Sequence, residues 1–290
     1  MIAVVIVTFS AEPEMLQACL ASVIAGGDVD RVIVVDNGAN AEVPIDIACV
    51  RPSRNLGYGG GANAGFRRAA ELGATAIALI NDDVVVEPGW LRPLIAALHD
   101  DAAIGAVQPK LLMAGTDPAR VNSVGVEIDA HGAGRDIGYD EADGPQFEEA
   151  RPIAAFTGGA VLFRAAFIDA TGGFDDSYFL YYEDLDLARR GSALGWTYLC
   201  VPASRVWHRV SASTTKLGER ARYLQERNRL RFVFRFGEPA GMARALWLSI
   251  RRLRWSPRTV HARALLAGLG SAPRALLARF RARKAKFPAL

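Results

Sequence analysis

Short apolar runs alternate with stretches of helical periodicity over the first hundred residues of the chain. The runs AVVIVT, RVIVVD, IACV and TAIALI each predict a buried strand, and the second of them ends at Asp36. Apolar residues recur at helical spacing behind Pro13, and Pro88 opens a similar pattern. Strands that alternate with helices in this way predict a parallel sheet covered on both faces.

The pattern changes after residue 105. IGAVQPKLL predicts one more strand, whereas residues 114–150 are rich in glycine and acidic residues and are expected to form loops or a small mixed sheet. Order returns in AAFTGGAVLFR and in YFLYYEDLDLARRGSALGW, whose second half predicts a helix. A strand TYLCVP, the segment RVWHRVSAST and a helix from Glu219 follow, and this helix leads into the last fifty residues.

The segment NLGYGGGANAG, residues 55–65, predicts a flexible glycine loop and contains a literal match to the dinucleotide fingerprint G-x-G-x-x-G/A. In a dinucleotide-binding fold that fingerprint lies on the first strand-to-helix turn. The first turn here is FSAEPE, which has no glycine. A dehydrogenase is therefore a weak alternative, and we expect carboxylates at several strand ends to converge on one nucleotide instead.

The charge is divided unevenly along the chain. The formal net charge is +3, yet residues 241–290 hold twelve Lys or Arg and no acidic residue, which leaves a net charge of −9 on residues 1–240. Apolar residues interleaved with arginine predict helices that lie on an anionic membrane surface. Nucleic acid could attract the same charge, but no nucleic-acid-binding motif accompanies it.

The N-terminus and the cysteines indicate a cytoplasmic protein. The first apolar stretch ends after nine residues, too short for a signal peptide or a membrane span. Three widely spaced cysteines without a C-x-x-C pair are typical of reduced thiols in the cytosol. We therefore expect a cytoplasmic protein attached peripherally to the inner face of the membrane.

Eight short motifs, in order, carry a resemblance to a known family: VIVTF, VVDNG, NLGYGGGANAG, LINDDV, TGGAVLFR, GGFDDSYFLYYEDLDLARR, VWH and RN. Over roughly residues 3–235 the chain resembles the family 2 glycosyltransferases of the GT-A fold, and within them the bacterial cell-wall rhamnosyltransferases. The resemblance implies a Rossmann-like, mostly parallel central sheet flanked by helices. It also implies a catalytic domain over residues 1–236, with a nucleotide-binding part to about 105 and an acceptor-binding part from 106. Residues 237–290 would form a C-terminal helical basic extension.

The resemblance also implies roles for particular residues in a metal-dependent, inverting transfer from a nucleotide sugar. Asp184 matches the general base, while Asp83 and His208 match ligands of Mn²⁺ or Mg²⁺. The donor site would be formed by Thr8, Phe9, Asp36, Asn55, Gly57, Asn63, Asp82 and Arg227. The expected partners are a UDP- or dTDP-sugar, with dTDP-rhamnose the suggested donor, and a glycolipid or polysaccharide acceptor of the cell envelope.

Each of these residues also has a purely structural interpretation. Asp36 precedes Asn37-Gly38 and could form an Asx-turn. Asp184 lies near a predicted helix start, where negative charge is favoured, and Arg227 could belong to a solvated helix face. Two other functions stay open at this stage: a sugar-1-phosphate nucleotidyltransferase, and a non-catalytic protein that binds nucleotide sugars.

Overall fold

A computed structural model describes residues 1–9, 12–38, 40–209 and 212–286, with the side chains of 212–216 and 280–286 left out. Val210 and Ser211 of the predicted segment RVWHRVSAST lie outside the described residues. The described strands are β1 (Ile2–Thr8), β2 (Arg31–Asp36), β3 (Ala48–Val50), β4 (Ala76–Asn81), β5 (Val84–Val86), β6 (Ile104–Met113), β7 (Val121–Ser123), β8 (Val126–Ile128), β9 (Gly134–Asp136), β10 (Arg151–Pro152), β11 (Ala160–Arg164) and β12 (Thr197–His208). The described helices are α1 (Pro13–Gly26), α2 (Gly57–Glu71), α3 (Leu91–Asp100), α4 (Ala165–Thr171), α5 (Glu183–Ala193), α6 (Ala212–Phe236), α7 (Pro239–Arg252) and α8 (Arg258–Lys286).

The central sheet follows the order β10-β12-β6-β11-β4-β1-β2-β3, and β5 and β7 pair with β12 and β6. Parallel pairing joins β4, β1, β2 and β3, as the apolar runs predict. The antiparallel strand β11 connects this part to β6, which again pairs in parallel with β12. The carboxyl ends of β4, β1 and β2 therefore meet at one edge, where open α/β sheets bind ligands.

The glycine-rich segment is a helix rather than the predicted loop. Helix α2 begins at Gly57 and runs to Glu71, with its glycine face buried. A Cβ at Gly61 would lie 2.9 Å from Val7 Cγ1, and one at Gly65 would lie 2.3 Å from Val5 Cγ1. These glycines let the helix approach β1 more closely than any larger residue would allow, and this packing outweighs the low helix propensity of glycine.

The acid-rich region after residue 113 is also more ordered than its composition indicates. It contains β7 and a two-stranded sheet of β8 and β9. In addition, TYLCVP and RVWH form one strand, β12, which continues past an irregularity between Val201 and Arg205. Of the two alternatives for residues 114–150, loops or a small mixed sheet, the structure has loops together with a two-stranded sheet. The expectation of two separate elements in 197–208 is wrong.

The chain divides into two compact units. The first comprises residues 1–127, 135–179 and 183–213, and the second comprises 128–134, 180–182 and 214–290. This division differs from the functional boundaries at 105 and 236, which stay predictions. Within the second unit, buried Arg229 binds Glu226 and Ser249 and so ties α6 to α7. Among the described residues, no helix has both the length and the apolar character to cross a membrane.

Candidate active site

Three adjacent parallel strands bring polar side chains to one edge of the first unit. Thr8 lies opposite Asp36 in the pairing of β1 with β2, and Val7 lies opposite Asn81 in the pairing of β1 with β4. Thr8 and Asp36 are buried. The register thus brings the predicted donor residues of β1 and β2 next to the end of β4, from which Asp82 and Asp83 follow.

The Asp36 carboxylate contacts a backbone amide and a guanidinium. Its Oδ2 accepts from the Ala41 amide at 3.0 Å and lies 3.3 Å from Nε of Arg51, a half-exposed guanidinium that the sequence analysis did not assign. Phe9 is 44% exposed, and its ring borders Gly38 directly after the Asp36 strand. The ring and the carboxylate therefore line the same strand-end crevice.

The three predicted donor residues of the glycine segment have structural contacts. Asn55 Oδ1 accepts from Gly57 N at 2.8 Å and from Asn37 Nδ2 at 3.1 Å. Asn63 bonds the backbone of Phe174 through both its oxygen and its nitrogen. Gly57 has φ +76°, and a Cβ there would lie 2.2 Å from the Phe179 carbonyl oxygen. These contacts fix the start of α2 against the chain that leads to α5.

Asp82 and Asp83 are both buried at the end of β4. The pKa of Asp82 is raised to about 6, chiefly by burial; the charge of Asp83 contributes to this rise, while the Thr8 hydroxyl and the Phe9 amide oppose it. Two adjacent buried carboxylates need a positive charge in order to stay ionised. Their placement therefore favours a cation at this strand end.

His208, the last residue of β12, brings an imidazole nitrogen to the same place. Its Nδ1 lies 2.8 Å from Asn122 Oδ1, and because an amide oxygen only accepts, Nδ1 carries the proton. In the neutral form of the ring the lone pair is then on Nε2, which lies 3.1 Å from Asp83 Oδ1. Asp83 Oδ1 has no hydrogen-bond partner among the described residues.

A divalent cation fits this pair of atoms. Two neighbouring ligands of an octahedral ion, each at about 2.1 Å, are separated by about 3.0 Å, close to the 3.1 Å between Asp83 Oδ1 and His208 Nε2. The Asn122 contact orients the imidazole, as hydrogen-bond partners of metal-binding histidines do. Within the described ranges, however, His, Cys, Asp and Glu form no group of three or more that could hold a metal. The chain thus offers part of a coordination sphere, and other ligands would have to come from substrate or water.

Asp184, the predicted base, lies in the first turn of α5. Its Oδ1 accepts from the Leu185 amide at 2.8 Å and its Oδ2 accepts from the Gly158 amide at 3.1 Å. Burial raises its pKa, and the backbone amides lower it. Burial and the Asp184 charge also raise the pKa of the neighbouring Glu183, whose Oε2 has no partner among the described residues. A raised pKa suits a carboxylate that must take a proton.

The Thr157-Gly158-Gly159 turn connects the base to the strand end. Gly158 N binds Asp184, while Gly159 O accepts from Asn81 N at 3.0 Å. A Cβ at Gly159 would also lie 3.7 Å from Cε1 of His208. The TGG motif was visible in the sequence, but its function as a backbone link between the two halves of the site was not predicted.

The segment before α5 is held in an uncommon backbone conformation. Phe179, Tyr181 and Tyr182 have φ of +69°, +69° and +74°. Non-glycine residues in this region cost on the order of 1–3 kcal/mol each and cluster at functional sites. The strained segment directly precedes Glu183-Asp184.

Arg227 and Asn228 belong to the second unit and lie on α6. Arg227 Nε donates to Asn228 Oδ1, and Asn228 Nδ2 donates to the carbonyls of Leu180 and Tyr181. Asn228 therefore secures the strained segment, a structural task that the sequence did not reveal. The assignment of Arg227 to the donor diphosphate stays a prediction.

Comparisons with known proteins give the family. Residues 1–231 match the family described as glycosyltransferase-like family 2. The chain is 26% identical over 286 residues to the N-acetylglucosaminyl-diphospho-decaprenol L-rhamnosyltransferase of Mycobacterium tuberculosis, with 88% of each protein covered. It is 29% identical over 147 residues to the O-antigen biosynthesis protein RfbC of Myxococcus xanthus, which covers 49% of this chain and 11% of that protein.

Solved structures share the fold. A structure of GalNAc-T7 with UDP, GalNAc and Mn²⁺ superposes with a TM-score of 0.67 at 16% identity; it covers 99% of this chain, which spans 58% of that one. The structure of S. aureus TarS 1–349 superposes with a TM-score of 0.56 at 12% identity. It covers 99% of this chain, which spans 93% of that one. The mannosyltransferase PcManGT of Pyrobaculum calidifontis, in complex with GDP-Man and Mn²⁺, superposes with a TM-score of 0.53 at 16% identity. It covers 100% of this chain, which spans 76% of that one.

The predicted α/β architecture is therefore confirmed as the GT-A fold, with a mostly parallel central sheet. The family match extends over most of the chain and includes the strand ends, the TGG turn and the first turn of α5. The protein belongs to the glycosyltransferase-like family 2 and is a glycosyltransferase.

Proposed function

We propose that this glycosyltransferase moves rhamnose from dTDP-rhamnose, with inversion and with the help of a divalent cation, onto a lipid-linked sugar of the cell envelope. The observation that carries the proposal is the meeting of Asp83 and His208 at 3.1 Å, linked through the TGG turn to Asp184. The sugar and the acceptor rest on the mycobacterial relative, which is named for transfer of L-rhamnose to a diphospho-decaprenol-linked acetylglucosamine.

The donor would bind at the ends of β1, β2 and β4. Asp36 would accept hydrogen bonds from base or ribose, and the Phe9 ring would cover them. Asp83 and His208 would hold Mn²⁺ or Mg²⁺, with Asp82 facing the ribose or the sugar. The cation, when bound, supplies positive charge to the departing diphosphate. Two of the structural neighbours were solved with Mn²⁺, which supports this choice.

Asp184 would act on the acceptor. Its carboxylate takes the proton of the attacking hydroxyl while the hydroxyl oxygen bonds to the anomeric carbon. The bond from that carbon to the diphosphate breaks on the opposite face, and the nucleoside diphosphate leaves with the electron pair. The two amides on Asp184 keep a carboxylate oxygen oriented, and its raised pKa increases its basicity.

The second unit carries a surface suited to the bilayer that would hold such an acceptor. On α8, exposed apolar side chains recur along one stripe, opposite a buried face formed by Val260, Ala264 and Ala275. The stripe consists of Leu266, Leu269, Leu276 and Leu277. On α7, exposed Trp247 and Ile250 lie on one face, and Arg251 stacks over the Trp247 ring at 4.8 Å. With twelve basic and no acidic residues in 241–290, this surface is complementary to anionic lipids.

Calorimetric titration of UDP and dTDP, each with Mn²⁺, Mg²⁺ or EDTA, tests the donor and metal assignments. We expect dTDP to bind with the metal and to bind at least tenfold more weakly in EDTA. Asp83→Asn should remove the metal effect, and Asp140→Asn, at a half-exposed carboxylate, should keep it. Equal binding of dTDP in all three conditions would exclude the proposed metal assignment.

Sedimentation with vesicles tests the membrane surface. We expect the protein to sediment with phosphatidylglycerol vesicles and not with phosphatidylcholine vesicles, and Leu266→Ser combined with Leu276→Ser to weaken this binding severalfold. Leu194→Ser, at another exposed leucine, is the matched control and should change nothing. Unchanged sedimentation of the double variant would contradict this assignment.

A further inference from the structure

Asp136, on the short strand β9, lies beside the residues that lead to both halves of the active site. Val124 N donates to Ile137 O at 3.1 Å and Ile137 N donates to Gly125 O at 2.8 Å, so the residue that follows β9 pairs with the chain that follows β7. The Asp136 carboxyl lies close enough to the Ser123 hydroxyl for that hydroxyl to lower its pKa. No motif in the sequence singled it out, and the site described above does not use it.

Two series of contacts lead from Ser123 and its neighbour Asn122, one to Asp184 and the other to His208. Gln108 Nε2 lies 3.3 Å from the Ser123 hydroxyl, and Gln108 Oε1 accepts from Thr157 N at 2.9 Å; the next residue, Gly158, binds Asp184. In the other direction Asn122, adjacent to Ser123, binds the ring of His208. Strand β7 thus supports both the base and the imidazole.

The Asp136 carboxyl has an unused acceptor. Its Oδ1 is buried and forms no hydrogen bond with any described residue. Burial raises its pKa to about 6; the Ser123 hydroxyl lowers it, the Asp184 charge raises it and His208 lowers it. Asp184 and His208 are therefore close enough to act on this carboxyl electrostatically.

Two other acids of the first unit, buried Asp186 and partly buried Asp143, are compensated by cations. Asp186 pairs with Arg190 at 2.6 Å, and Asp143 pairs with Lys110 at 2.8 Å. Asp136 has no such ion pair among the described residues. A buried acceptor without a donor costs about 1–3 kcal/mol, so a ligand that brings an O–H to Oδ1 would gain free energy there.

The position of Asp136 favours the acceptor sugar as that ligand. The donor crevice is formed by β1, β2 and β4. Asp136 lies beyond residue 105, near enough to Asp184 for the charge of that carboxylate to raise the Asp136 pKa. A sugar held with one hydroxyl at Asp184 has further hydroxyls one or two carbons away that can donate.

We propose that Asp136 binds the acceptor, its Oδ1 accepting a hydrogen bond from a sugar hydroxyl near the one that attacks, so that it helps to decide which acceptors react. This inference rests on the proposed function, since it assumes a sugar acceptor at Asp184. It makes Asp136 a specificity-determining residue rather than the base.

Steady-state transfer kinetics with a GlcNAc-diphosphoryl lipid and dTDP-rhamnose test the proposal. Asp136→Ala should raise the acceptor KM about tenfold or more, change kcat less than threefold and leave dTDP binding unchanged. Asp136→Asn, which keeps an acceptor oxygen in a side chain of the same shape, should recover part of that loss. Asp140→Asn is the matched control on a half-exposed aspartate and should behave as wild type.

Monodeoxy acceptors sharpen the test. Removing the hydroxyl that Asp136 binds should raise the KM of wild type and should have no further effect in Asp136→Ala. An unchanged acceptor KM in both Asp136 variants would overturn the inference, as would loss of dTDP binding in both, because the residue would then be structural. If the wild type transfers rhamnose and Asp184→Asn does not, the proposed function stands whatever the Asp136 variants show. If the wild type does not transfer rhamnose, both the proposed function and this inference are refuted.

Discussion

The close contact of α2 with β1 makes Gly65→Ala a sharp test of the fold. A Cβ at Gly65 would lie 2.3 Å from Val5 Cγ1 and 3.1 Å from Val35 Cγ2. Ordinary carbon contacts are at about 3.5–4.0 Å, so the helix and the strand would have to separate by about 1 Å. Val5 and Val35 are fully buried in central strands and have no room to retreat.

The expected magnitude follows from two opposing effects. Overpacking of a tight core costs about 1–3 kcal/mol, and here the severity of the clash favours the upper end. Replacing a helix-interior glycine by alanine gains about 0.5–1 kcal/mol. We expect a net loss of about 2 kcal/mol, which would lower the urea midpoint by about 1 M.

Urea unfolding followed by far-ultraviolet circular dichroism measures this difference. Gly270→Ala on α8 is the matched control, because a Cβ there meets no atom within 4 Å. It should stabilise the protein by up to about 1 kcal/mol. If Gly65→Ala were as stable as wild type, the argument that these glycines allow the helix to pack on the strand would be refuted.

Three further predictions concern charge. Burial raises the Asp82 pKa from 3.8 to about 6. Between these two values the native state therefore binds more protons than the unfolded state, so the native state loses stability as the pH rises. In EDTA the unfolding free energy should fall by up to about 3 kcal/mol from pH 4 to 7. Asp82→Asn should flatten this slope in pH-dependent urea titrations and Asp140→Asn should not. Arg229→Met leaves buried Glu226 with Arg252 and Ser249 as partners and should cost about 1–3 kcal/mol, measured by urea unfolding. His208→Ala should weaken Mn²⁺ affinity at least tenfold, measured by calorimetry. A wild-type unfolding free energy that does not change from pH 4 to 7 would contradict the first prediction. Wild-type stability of Arg229→Met would contradict the second, and unchanged Mn²⁺ affinity of His208→Ala would contradict the third.

The parallel half of the sheet could be predicted because each of its strands carries its own signal. Runs such as AVVIVT and RVIVVD are buried on both faces and read as continuous β-branched segments. The strand-end position of Asp36, Asp82 and Asp83 followed directly, since strand ends in a parallel sheet share one edge. Asp83 and His208 are more than a hundred residues apart in sequence, and their shared role as metal ligands was predicted only from the family resemblance.

What could not be predicted depends on tertiary packing. Helix α2 has a sequence of poor helix formers, and only the surface of β1 makes its glycines an advantage. The antiparallel insertion of β11 has no local signature, because its apolar run would suit either direction. Asn122 and Asp136 lie in short strands within an acid-rich stretch, and their importance comes from neighbours distant in sequence.

The most direct test of the central claim is transfer of radiolabelled rhamnose from dTDP-rhamnose to a GlcNAc-diphosphoryl lipid by wild type and by Asp184→Asn, with dTDP binding measured on both. Removing a general base should reduce transfer by about 10²–10⁴-fold. We expect that reduction in Asp184→Asn with dTDP affinity unchanged. An Asp184→Asn variant that transfers rhamnose at the wild-type rate would contradict the account.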